Sequence, residues 1–222
     1  MKVKINSQQT MLLIIILIVT LTSFIPAKYT KDFKKQKKQI SSLTLISPIV
    51  TIISNNGIER YVDTVSTKAN QILIKDFTNE LLSHKYKIEN VKTPKINILL
   101  LNKILSKLED SPNELTKNSY KPIQKEIDLR FKNRYALLII YNGTFNPDFP
   151  PHYKLNSAIS GTIVITPNIT TKAESDLRVL ILDTDTKEIV FYDRIFSSQY
   201  DPRIPYETEQ MTKKILKKIY YK

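Results

Sequence analysis

The chain has 222 residues, 41% of them hydrophobic and 25% charged, which suits one globular domain with its own core. It holds no Cys and only three Gly, which excludes disulfides, thiolate metal sites, cysteine nucleophiles, a lipidated N-terminal cysteine and Gly-rich phosphate loops. The net charge of +13 is uneven: Lys2 and Lys4 carry two charges, residues 28–38 carry five through six Lys and one Asp, and +6 is left for residues 39–222.

Lys2 and Lys4 precede an apolar run from Met11 to Ile25 (MLLIIILIVTLTSFI). As a helix it would rise roughly 22 Å, short of the ~30 Å hydrocarbon core, so residues 1–27 read as a signal peptide or an N-terminal membrane anchor. Pro26-Ala27 would end the segment, although Ile25 is not the small residue that cleavage after Ala27 prefers. Lys28, Lys31, Lys34, Lys35, Lys37 and Lys38 follow directly. Positive flanks tend to stay cytoplasmic, so an uncleaved anchor with the domain inside the cell is the rival to export. The expected location is the periplasm or cell envelope. Residues 28–41 read as a basic linker able to rest on anionic headgroups, and residues 42–222 as a single domain.

Leu43 to Ile53 (LTLISPIVTII) reads as a buried strand, with Pro48 marking an edge or a bulge. Asn55-Asn56-Gly57 turns the chain. Val62, Val65, Ala69, Ile72, Leu73, Phe77 and Leu81 then recur at helical spacing, which predicts an amphipathic helix over 59–83. Residues 86–91 form a short strand. Thr93-Pro94 opens a helix carrying Leu99, Leu101, Ile104, Leu105 and Leu108, and Pro122 opens another with Ile123, Ile127 and Phe131.

Residues 135–145 (YALLIIYNGTF) are nearly continuous in apolar side chains, as in a central strand covered on both faces. A strand over 157–166 follows a Pro-rich loop. Residues 176–183 and 188–197 pair as a hairpin around Thr184–Lys187, and 206–220 form a last helix with Met211, Ile215 and Ile219 on one side. The order β-α-β-α-(α)-β-β-β-β-α predicts an α+β fold: a single mixed, mostly antiparallel sheet with helices packed on it.

Few residues suggest chemistry. His84 falls where the first long helix ends, and His152 lies in a loop without a partner pattern for a metal or a triad. Asp183-Thr184-Asp185 resembles a divalent-metal carboxylate pair, but Asp is favoured in a turn at that place. Asp193-Arg194 and Tyr200-Asp201-Pro202-Arg203 set charges at the end of the last strand, where an ion pair could mark a binding edge. Ser160-Gly161 lacks the pattern of a nucleophile elbow. No catalytic, cofactor-binding or metal-ligating residue is assigned, and no cofactor is expected. No basic and aromatic residues cluster as a nucleic-acid face would require.

Three segments carry a family resemblance. Ile49–Ile53 (IVTII) leads through a loop into a helix ending Phe77–Leu82 and on to Tyr86–Ile88. Arg134–Ile140 (RYALLII) precedes Gly143. Leu180–Val190 (LILDTDTKEIV) joins two strands. Over residues 43–220 this pattern resembles the CsgG, TolB N-terminal and LpoB-like bacterial envelope proteins. The chain departs from them in lacking a lipidated Cys and in placing Lys187 where Gly is typical. The resemblance implies a non-enzymatic adaptor domain of the cell envelope acting through a protein or glycan partner, and transfers no catalytic residue. A structural subunit of an envelope assembly, or a hydrolase with a carboxylate site, are the alternatives, and the oligomeric state is open. The loops 146–156 and 197–205, rich in Pro and aromatic residues, are the expected working surface.

Overall fold

A computed structural model describes residues 27–92, 96–110, 115, 120, 131–151 and 173–220. The strands are β1 (Lys28–Tyr29), β2 (Ser42–Ile46), β3 (Ile49–Asn55), β4 (Arg60–Val62), β5 (Lys87–Val91), β6 (Tyr135–Phe145), β7 (Glu174–Asp183) and β8 (Glu188–Ser197). The helices are α1 (Lys31–Gln36), α2 (Thr64–Ser83), α3 (Ile98–Asp110) and α4 (Pro205–Tyr220). The fold is α+β, with one mixed sheet and helices packed on it.

The sheet runs β1-β8-β7-β6-β2-β5, and β3 also pairs with β6 and carries β4. β6 is the centre. Its pairing with β7 is antiparallel from Tyr135↔Asp183 to Thr144↔Glu174, and its other side receives β2 and β3 in parallel. Pro48 explains why one edge of β6 takes two strands. Lacking an N–H, it interrupts the ladder and splits the apolar run 43–53 into β2 and β3.

Alternation along β6 sorts its side chains to two faces. Leu137, Ile139 and Tyr141 pack with Ile74, Leu82, Met211, Ile215 and Leu216 of α2 and α4. Ala136, Leu138 and Ile140 pack with Leu101, Ile104, Leu105 and Leu108 of α3. The sheet is thus covered on both sides, as its unbroken apolar sequence predicts.

Two sequence expectations need correction. Residues 28–36 are not a linker. β1 pairs antiparallel with β8, Thr30 caps α1 by accepting from the Phe33 amide, and Phe33 is 2% exposed, 5.6 Å edge-on from the Tyr135 ring. Lys28 is buried as well; its ammonium donates to the carbonyls of Leu108 and, at 3.0 Å, Glu109, closing the C-terminus of α3. Helix α2 also starts later than expected, at Thr64 rather than 59, with β4 before it. Its buried stripe is Asn70, Ile74, Thr78 and Leu82, while Val65, Ala69 and Ile72 lie exposed. The helix begins at Thr64 because the Asp63 carboxylate accepts from the Ser66 amide. The expected helix after Pro122, the strand 157–166, Ser160 and His152 lie outside the described residues, as does nearly all of the apolar N-terminal segment.

Candidate binding groove

At the β6 end that carries Phe145, segment 197–205 meets the strand from which the loop after β6 departs. The guanidinium of Arg203 stacks 4.4 Å from the Phe145 ring. Gly143 makes the approach possible: a Cβ there would lie 2.6 Å from Cβ of Pro202 and 2.8 Å from Cδ1 of Ile52. Segment 197–205 therefore sits beside the start of the β6–β7 connection.

A buried hydrogen-bonded chain holds that segment. The Ser175 hydroxyl donates to the Tyr200 carbonyl (3.1 Å) and lies 2.8 Å from the Tyr141 hydroxyl, which lies 3.2 Å from that of Thr208. Thr208 donates to Asn70 Oδ1 (3.0 Å), and Asn70 Nδ2 donates to the Pro202 carbonyl (2.8 Å). Burial pushes the Tyr141 hydroxyl up from its ordinary range, so it stays protonated and available to donate. Asn70 is thus a polar residue in the buried stripe of a helix because it fixes a neighbouring turn. Sequence reasoning missed it; the signal was an Asn four residues before Ile74 and eight before Thr78, where the helical period demands burial.

The Tyr200–Arg203 turn is further fixed by Asp201. Its carboxylate accepts from the Arg203 amide (2.9 Å) and from the Arg203 guanidinium at 2.6 Å. The expected ion pair at the strand end is therefore Asp201–Arg203. Asp193 and Arg194 do not pair with each other, because successive strand residues face opposite sides. Asp193 meets Lys218 on α4 at 2.8 Å. Arg194 meets Asp176 (2.8 Å) and Glu109 (2.9 Å), and Arg178 meets the same two carboxylates across the strand. Two arginines stand directly opposite in the β7–β8 register, and the two carboxylates between them offset the repulsion.

Between α2 and the 202–209 segment opens a groove of about 520 Å³. Ala69, Ile72, Leu73 and Phe77 give it an apolar floor; Asp76, Glu80, Glu209 and Arg203 supply charge. Ile72 is 53% exposed. The floor residues belong to the series that recurs at helical spacing in the sequence; Ala69 and Ile72 are exposed, and Leu73 and Phe77 half-buried.

The remaining candidates are structural. His84 is the C-cap of α2. The Asp183 carboxylate accepts from the Asp185 amide (3.0 Å) and receives Arg134 at 2.7 Å, so Asp183-Thr184-Asp185 is a turn. Among the described residues no three His, Asp or Glu side chains converge as metal ligands, and no helix is long and apolar enough to cross a membrane.

No family model matches the chain, and no curated protein matches it. Several solved structures are similar in outline. A homolog of the neuraminyllactose-binding hemagglutinin from Helicobacter pylori aligns at 13% identity and a TM-score of 0.38, covering 82% of each chain. The C-terminal domain of LpoB from Salmonella enterica aligns at 12% identity and a TM-score of 0.28, covering 77% of this chain and 96% of that one. A lipoprotein of Neisseria meningitidis aligns at 7% identity and a TM-score of 0.33, covering 81% and 96%. All three are distant, and the fold rests on the strand order and register given above.

Proposed function

We propose that this chain is a non-enzymatic accessory or binding domain of the cell envelope, delivered by residues 1–27 and acting through a protein or glycan partner held in the groove beside α2. One observation carries the reading. Helix α2 buries Asn70 and Thr78 while leaving Val65, Ala69 and Ile72 exposed. Asn70 and Thr78 share the buried stripe with Ile74 and Leu82, so an apolar patch stays uncovered although each buried apolar side chain contributes about 1.5–3 kcal/mol. An apolar stripe turned outward along a groove is what a docking surface requires. The buried chain through Tyr141, Thr208 and Asn70 keeps the rim rigid, which lowers the entropy lost on binding.

Site-specific photocrosslinking in cells expressing the full chain tests this. A photoreactive residue at Ile72 should give an adduct of discrete mass. The same residue at Leu99, exposed on α3 across the sheet, should give none. Equal adducts from both positions, or none from Ile72, would sink the reading.

A further inference from the structure

We propose that the end of the domain formed by α1 and the C-termini of α2 and α4 is a docking face for anionic phospholipid headgroups. The inference rests on the envelope reading above and deepens it, by stating which face meets the membrane.

Three segments distant in sequence bring lysines together here. Lys37 Nζ on the α1 C-cap donates to the Lys218 carbonyl near the end of α4 (3.0 Å). Lys85, just past α2, donates to the Lys37 carbonyl (3.4 Å). Tyr86 donates to the Ile219 carbonyl (3.2 Å), and burial pushes its hydroxyl up to about 12, so that donor persists. Lys34, Lys35, Lys38 and Lys217 stand exposed on the same segments, and among the described residues none of the four is in an ion pair. Burial lowers Lys37 and Lys85 from their ordinary range, and neighbouring charges add to it: Lys34 and Lys38 on Lys37, Lys37 and Lys38 on Lys85.

The nearby carboxylates do not cancel this. Asp32 is a single charge in the first turn of α1, Glu80 a single charge in the last turn of α2, and Asp193 is already matched by Lys218. A cluster of four to eight cations beside an apolar segment is the pattern that anionic leaflets attract.

Chain geometry decides the partner. Ile25 ends the apolar run, and by Lys28 the backbone is already paired to β8. Two residues at most ~3.6 Å each leave the domain no slack to stand away from its anchor. Since α1 follows at Lys31, its lysines lie next to the point where the chain leaves the bilayer. The groove runs along α2 from Ser66 to Glu80, and its wall of Pro202, Arg203 and Pro205 stands at the Phe145 end of β6, whereas α1 meets the Tyr135 end.

The chain has no Cys, so one introduced cysteine is its sole thiol. Ser83 at the end of α2 and Asp148 in the loop after β6 are both exposed, one at each end of the domain. Full-length S83C and D148C, each carrying a fluorophore, are reconstituted in vesicles of phosphatidylcholine alone or an equal mixture with phosphatidylglycerol. Both contain a headgroup nitroxide quencher, and flotation is recorded. The expected result is flotation in both lipids, with S83C quenched at least about twofold more in the mixture and D148C unchanged. Adding K34Q, K35Q and K38Q should abolish the contrast without altering flotation. Equal quenching of S83C in the two lipids, or none in either, overturns the face. Flotation with the mixture alone would support the face while removing the anchor, and flotation with neither would overturn both.

Discussion

At the residue scale, two positions show how local chemistry shapes this fold. Lys187 closes the β7–β8 turn with φ of 61°, in the left-handed region that favours glycine. Its amide donates to the Asp183 carbonyl (2.9 Å), so the turn depends on that conformation. K187G should therefore stabilise the domain by about 0.5–1 kcal/mol, after the entropy Gly adds to the unfolded chain. The thermal midpoint should rise by about 2 °C. A fall in midpoint would show that the lysine side chain, not the backbone, holds the turn.

Asp193 makes a pH-dependent case. It is 0% exposed, and burial holds its carboxyl above the ordinary 3.8 while Lys218 pulls it down. A raised folded value means the native state binds more protons, so the contribution of Asp193 is complete below 3.8 and is lost as pH rises through the folded value. K218M removes the partner and lifts that value further. The variant should lose about 3 kcal/mol at neutral pH, the low end for a buried pair because Lys218 is partly exposed. Urea unfolding at about pH 7 and about pH 5 should show the deficit shrinking toward acid. A deficit that grows on acidification would contradict the assignment.

At the element scale, what was legible followed periodicity. β6 and β8 were readable to the residue, because unbroken or alternating apolar runs leave little choice of state. α1 was not, because one buried Phe33 among lysines carries no period and its stability comes from tertiary packing. The rotation of α2 was hidden for a related reason. Apolar spacing finds an apolar face and cannot say whether core or partner covers it, and Asn70 is understood only once Pro202 and Thr208 lie beside it. F33A separates a docked element from a linker. Docked, it should cost about 3–5 kcal/mol in urea unfolding; a linker phenylalanine would change stability by less than about 0.5 kcal/mol.

At the scale of the whole molecule, the ends differ in character. One gathers α1, Lys85 and the end of α4; the other carries Phe145 and the Tyr200–Arg203 turn, from which the groove runs along α2. An anchored domain with its basic end on lipid would hold the groove toward the space outside the membrane, where a partner can reach it. Both halves of that polarity are present in the sequence in disguise, as a basic stretch and as an apolar helix face. Neither could be located without the register of β1 on β8 and the rotation of α2.

The proposal that this domain is exported to the cell envelope is tested most directly by full-length D148C expressed in cells. The account predicts that a membrane-impermeant maleimide labels Asp148→Cys in intact spheroplasts as fully as after detergent lysis. Labelling only after lysis would place the domain in the cytoplasm and contradict it.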